Sequence, residues 1–214
     1  MDPLITLMSL DLFLATLEKA GKSSRKMFEK EPRIAEELVE KVNLRGSELL
    51  RLVGDFIDGN EAYRNRPGKP ILRKENMLFH INKDVHEMLN YIAAADGELT
   101  PKELAFIRTI VGFRYGEAAI FESAENLERK IWNGENVTGS LVIRILGWYD
   151  PDRAERYIAL LKEIGEIMEE SISPKTVPDP LYTLSIYWNE QYLAARMEYL
   201  EILELENDYL NGEL

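Results

Sequence analysis

The sequence predicts an all-α protein, a multi-helix bundle, and three observations carry that prediction. Apolar residues recur at i, i+3, i+4 spacing along nearly the whole chain. Turn and linker stretches such as Asp58-Gly59-Asn60, Asn65–Pro70, Asn133–Asn136 and Ser173–Pro180 separate the runs of that spacing. No stretch reads as a strand: Leu141-Val142-Ile143 is the best candidate, but it flows into Arg144-Ile145-Leu146 without turn residues.

In chain order, Leu7, Leu10, Leu14 and Leu17 make the stripe of a first helix, with Asp2 as its N-cap and Pro3 in its first turn. A second helical stretch runs from about Ser24 to Val42, interrupted at Pro32. Residues 46–57 supply Leu49, Leu50, Val53 and Ile57 to a short helix that Asp58-Gly59-Asn60 stops. Asn65-Arg66-Pro67-Gly68-Lys69-Pro70 reads as a linker. Helices resume over about Asn76–Ala95, Pro101–Tyr115 and Ala118–Trp132, followed by the turn Asn133-Gly134-Glu135-Asn136. Residues 138–149 form a short apolar helix, and Asp150-Pro151 opens another that reaches about Glu170. Ser173 to Pro180 holds three prolines, and a last helix runs from about Leu181 to Tyr209, roughly 43 Å long. The organisation expected is an N-terminal helical segment (1–64), a linker (65–74), a helical core (75–172), and a proline-rich turn with a long C-terminal helix packing on that core (173–214).

Composition narrows the function classes. The chain has 214 residues with 26 Lys+Arg against 38 Asp+Glu, a net charge of −12. That balance disfavours a duplex nucleic-acid binder, which must displace counterions with a basic surface. With no cysteine, thiolate catalysis, thiolate zinc and disulfides are excluded. The early apolar run lacks the basic n-region of a secretory signal, and Asp11, Glu18 and Lys19 break it short of a bilayer span. The expected location is therefore the cytoplasm, without a transmembrane segment. Neither a Walker-type nor a dinucleotide glycine loop occurs. His80 and His86 do not share a helix face, and His86, Glu87 and Asn90 read as a solvated face.

The most specific stretch is Asp84 to Gly112. Its first helix buries Val85, Met88, Leu89 and Ile92. Gly97 stands where a helix C-terminus needs positive φ. Thr100 caps the next helix, Pro101 takes its first position, Glu103 completes a capping box, and Leu99 with Leu104 forms a hydrophobic staple. Laid on an EF-hand loop, Asp96, Leu99 and Glu103 fall at acceptable positions. The first and third ligand positions fall on Ile92 and Ala94, which offer no side-chain oxygen. A regular EF-hand is thereby set aside.

The run Ala95-Asp96-Gly97-Glu98-Leu99-Thr100-Pro101-Lys102-Glu103-Leu104 resembles the helix–ADG–helix signature of the TerB-like family. That family is named for the tellurite-resistance protein TerB and has relatives in the N-terminal part of DjlA. The resemblance covers about 30 residues firmly, and about 75–170 if the neighbouring helices join the same bundle. It implies a TerB-like core with flanking helices, a bacterial stress-response or envelope-associated assembly, and an acidic site for a divalent cation. By carry-over, Asp96 and Glu103 are the metal-ligand candidates. The long additions on both sides depart from small TerB-like domains.

Two other regions draw attention. Arg64, Arg66, Lys69, Arg73 and Lys74 form an acid-free basic cluster that could hold an anion or simply sit in solvent. The last helix carries Tyr187, Trp188, Tyr192 and Tyr199 as candidate interface residues, for a protein partner or a second copy of the chain. After Arg196 there is no further cation, while Glu198, Glu201, Glu204, Glu206, Asp208 and Glu213 supply six acids. The expected function is a non-catalytic interaction or scaffold module. Two other readings stay open: a metal-dependent hydrolase or sensor with carboxylates on facing helices, and an adaptor domain of a larger ATPase or secretion machine.

Overall fold

The computed structural model describes residues 32–66, 68, 70–112, 116–133, 139–173 and 179–211. The first helix expected from the sequence, and Pro67 and Lys69 of the linker, lie outside these residues. Among the described residues there are eight helices and no strand. They are α1 (Glu36–Gly59), α2 (Glu61–Arg64), α3 (Lys74–Ala94), α4 (Pro101–Val111), α5 (Glu117–Asn133), α6 (Leu141–Tyr149), α7 (Pro151–Ser171) and α8 (Pro180–Asn211).

The helix starts follow local chemistry. Thr100 Oγ1 accepts from the Glu103 amide, Ser140 Oγ from Ile143, Asp150 Oδ1 from Arg153 and Asp179 Oδ1 from Tyr182. Each satisfies an amide that the first turn leaves open. Pro101, Pro151 and Pro180 follow three of these caps at the first helical position. Gly97 and Gly112 take positive φ, 79° and 75°, where two helices end. The Gly112 turn ends α4 at Val111, four residues earlier than the sequence suggests.

One larger departure concerns α1. The sequence reading separates a stretch ending at Val42 from a short helix at 46–57, but α1 runs unbroken through Gly46. Glycine inside a helix costs about 1 kcal/mol against alanine. Val42, Leu49, Leu50, Val53 and Phe56 offset it by burying one continuous stripe.

The helices pack as a bundle around α3 and α7. α3 lies against α1, α4, α5, α6, α7 and α8, and α7 lies against α1, α3, α6 and α8. One hydrophobic cluster draws residues from both sides of 65–74, among them Leu49, Val53 and Phe56 from α1, Met88 and Ile92 from α3, and Leu161 and Ile164 from α7. Within 65–74 itself, Leu72 is fully buried. The Tyr63 hydroxyl donates to the Leu72 carbonyl (2.8 Å) and accepts from the Leu72 amide (2.9 Å), so no backbone group is stranded there. Asn60 Nδ2 donates to the Tyr149 carbonyl (3.2 Å), tying this corner to the end of α6. The rings of Phe56, Tyr63, Tyr149 and Tyr199 follow one another at 4.9, 5.2 and 5.3 Å between centroids. Pairs at these separations contribute about 0.5–1.5 kcal/mol each beyond their buried area.

Two glycines allow close helix crossings. A Cβ on Gly147 of α6 would lie 3.2 Å from the Tyr192 carbonyl oxygen and 3.3 Å from the Ala195 Cβ of α8. A Cβ on Gly165 of α7 would lie 2.6 Å from Leu181 Cδ1. No helix among the described residues is long and apolar enough to cross a membrane.

Candidate functional site

The Ala95–Leu104 corner forms as a helix–turn–helix, and its two acidic candidates have different surroundings. Asp96 Oδ1 accepts from the Glu98 amide at 3.0 Å on the exposed surface. Glu103 is almost fully buried. One of its oxygens accepts from the Thr100 amide at 2.7 Å, and the other accepts from the Ser173 hydroxyl. Lys102 Nζ donates to the Ser171 carbonyl (3.0 Å), so the same turn is stitched to the end of α7. Glu103 thus has both oxygens engaged, one in capping α4 and one in joining it to Ser173 beyond α7. Among the described residues, no group of three or more His, Asp or Glu side chains gathers where a metal ion could sit.

The basic candidates spread out along 64–74. Arg64 and Arg73 are exposed, and Lys74 pairs with Asp58 at 2.6 Å. The Arg66 guanidinium lies over the Tyr63 ring, 6.0 Å from its centroid. Lys69 lies outside the described residues.

A buried carboxylate stands apart from every sequence-derived candidate. Asp84 of α3 is 6% exposed, and its Oδ2 accepts both from the Ser140 hydroxyl and from the Tyr157 hydroxyl, the latter at 2.8 Å. Three helices meet on that oxygen: α3 supplies it, α6 sends its N-cap, and α7 sends Tyr157. Burial pushes the Asp84 carboxyl up to about 7, while the two hydroxyls pull it down. Glu87 also raises it, and Lys83 lowers it. Burial raises Tyr157 well above the ordinary phenol range, so it stays protonated as the donor to Asp84, and raises Tyr187 to about 12. The gap that Asp84 shares with Glu87, Gly139, Ser140, Tyr187 and Trp188 measures about 10 Å³. That is room for one water at most. The arrangement is a proton-sensitive clamp between helices rather than a substrate pocket.

The neighbouring face of α3 corrects a reading made from sequence. His86, Glu87 and Asn90 are not a solvated face, since Asn90 is buried and His86 and Glu87 are half-buried. Asn90 is fully buried, with its Nδ2 3.0 Å from His86 Nε2. Lys130 of α5 reaches Glu87 at 3.3 Å. Burial lowers the His86 pKa.

On α8 the aromatic candidates turn toward the body. Trp188 is 5% exposed in the core, and Tyr187, Tyr192 and Tyr199 are half-buried. Tyr192 reaches Glu155 of α7, and Tyr199 packs on Tyr149 of α6. The outward apolar side consists of Tyr182, Ile186, Leu193, Met197 and Leu200, whereas Ile202, Leu205 and Tyr209 continue the bundle-facing side of Leu184, Trp188 and Ala195 into solvent. Beyond Tyr199 the helix leaves the bundle: of residues 200–211, only Leu203 and Asp208 are even partly shielded. Ile202, Leu205, Glu206, Tyr209 and Leu210 border one shallow concavity there. Periodicity signals that α8 is apolar around much of its circumference, but it cannot say which side the bundle takes. No protein-family model, curated protein or solved structure matches the chain.

Proposed function

We propose that this chain is a non-catalytic helical interaction module whose docking element is α8, taking a segment of a partner protein at its projecting end. The observation that supports this reading is the projecting end of α8, where large apolar side chains stand in solvent on a helix that the bundle does not hold. A helix apolar on most sides is ordinarily a buried one. Exposed apolar surface that is contiguous, and not scattered singly, marks an interaction site. The setting implied by the TerB-like resemblance, a bacterial stress-response or envelope-associated assembly, belongs to the same reading and rests on the Ala95–Leu104 corner alone.

The test is position-resolved crosslinking. A photo-reactive amino acid at Leu205 or Tyr209 should give one discrete adduct in the native host. The same group at Glu122, exposed on α5, should give none. Equal labelling at all three positions, or none at any, would remove the reading.

A further inference from the structure

Granting that α8 is a docking helix, we infer that its projecting end takes a basic amphipathic helix from a partner protein. The apolar half of the argument is energetic. Twelve residues of helix standing clear of a bundle are marginal in water on propensity alone. Ile202, Leu205, Tyr209 and Leu210, which border one concavity, supply the surface that a second helix would cover.

The other half is charge. Glu198 pairs with Arg144 at 3.0 Å. Among the described residues no cation pairs with Glu201, Glu204, Glu206 or Asp208. α8 has no Lys or Arg beyond Arg196, whose guanidinium lies over the Tyr199 ring. These four carboxylates also gather toward the negative end of the helix dipole, where cations rather than anions are favoured. Two kinds of deficit therefore coincide in one place, uncovered apolar area and uncompensated negative charge. An amphipathic helix with Leu, Ile or Met on one face and flanking Lys or Arg corrects both.

A second copy of the chain fits less well. Parallel pairing would set the carboxylates against each other, and like charges across an interface are costly. Antiparallel pairing would set them against residues 180–195, whose only charged side chain is Glu190.

The test uses the full chain and two synthetic helical peptides with identical leucine positions, one flanked by Lys and one by Glu, followed by fluorescence anisotropy. The Lys peptide should bind one to one and at least ~100-fold tighter than the Glu peptide. A Leu205→Glu/Leu210→Glu double variant adds negative charge while spoiling the apolar face, and should weaken the Lys peptide at least ~10-fold. Glu204→Lys with Glu206→Lys should reverse the preference between peptides. Tighter binding by the Leu205→Glu/Leu210→Glu variant would mean attraction by charge alone and would overturn the inference. So would a dimer in sedimentation that this variant disperses, or peptide binding seen only after Leu10→Asp/Leu14→Asp, which would assign the face to the chain's own N-terminal residues. Those last two results leave α8 a docking helix with another occupant. If neither peptide binds, and the crosslinks at Leu205 and Tyr209 are also missing, the docking reading fails with it.

Discussion

Asp84 ties the stability of this fold to pH through one oxygen atom. Its folded-state pKa of about 7 lies above the ordinary 3.8, so the folded protein holds this proton more tightly than the unfolded chain does. The contribution to stability is complete below the unfolded value and is lost as pH rises through about 7. Asp84→Asn removes the titration. The stability difference between variant and wild type should therefore move in the variant's favour by about 2–3 kcal/mol between pH 5 and pH 8 in urea unfolding. Parallel profiles would show that another group carries the dependence. Glu103 makes a contrasting case, since it satisfies the Thr100 amide and the Ser173 hydroxyl together. Glu103→Ala should lower stability by about 2–3 kcal/mol, because it removes half a capping box and strands a buried hydroxyl. The two residues also differ in how legible they are. Thr-x-x-Glu announces Glu103 within four residues. Asp84 lies on the same face as Ile81 and Met88 by helical period, which signals burial. Its partners stand 56 and 73 residues away, and no local pattern names them.

At the scale of elements, most helix positions were legible, α1 and the short α2 apart, and their closeness was not. The α6–α8 crossing depends on Gly147 facing the Tyr192 carbonyl and Ala195. In sequence, Gly147 reads only as a pause in Leu146-Gly147-Trp148. Gly147→Ala should stay within about 1 kcal/mol of wild type, since its gain in helix propensity offsets a tight contact. Gly147→Leu should cost about 2–3 kcal/mol by forcing two backbones apart. Equal urea midpoints for the two variants would mean the helices are not held at this distance. α8 itself divides into two regimes. Amides of α3 and α7 should exchange hydrogen only through global unfolding, whereas those of 203–211 should exchange many times faster at the same pH. Mass spectrometry of deuterated peptides reads this directly, and uniform protection along α8 would contradict the projecting geometry.

For the molecule as a whole, stability resides in the bundle and not in its projecting arm. A chain ending at Ile202 should melt within about 3 °C of the full chain, because residues 203–211 bury almost nothing. A larger loss would place the arm in the core's energetics. The all-α class was legible because helical period repeats in every segment and needs no long-range information. The assembly of those helices around α3 and α7 was not, since it depends on which faces meet. The buried carboxylate and the outward side of α8 both follow from that choice, and both had to wait for the three-dimensional structure.

The clasp between Tyr63 and Leu72 has a consequence for engineering. Its two hydrogen bonds fix Tyr63 and Leu72 to each other across nine positions, so the length of chain between Arg66 and Pro70 does not set how these two residues meet. Lengthening a loop whose ends are already fixed costs only about 0.6 kcal/mol per doubling. A reporter peptide inserted between Arg66 and Pro70 should therefore be accommodated without disturbing either α1 or α3, provided Tyr63 keeps its hydroxyl.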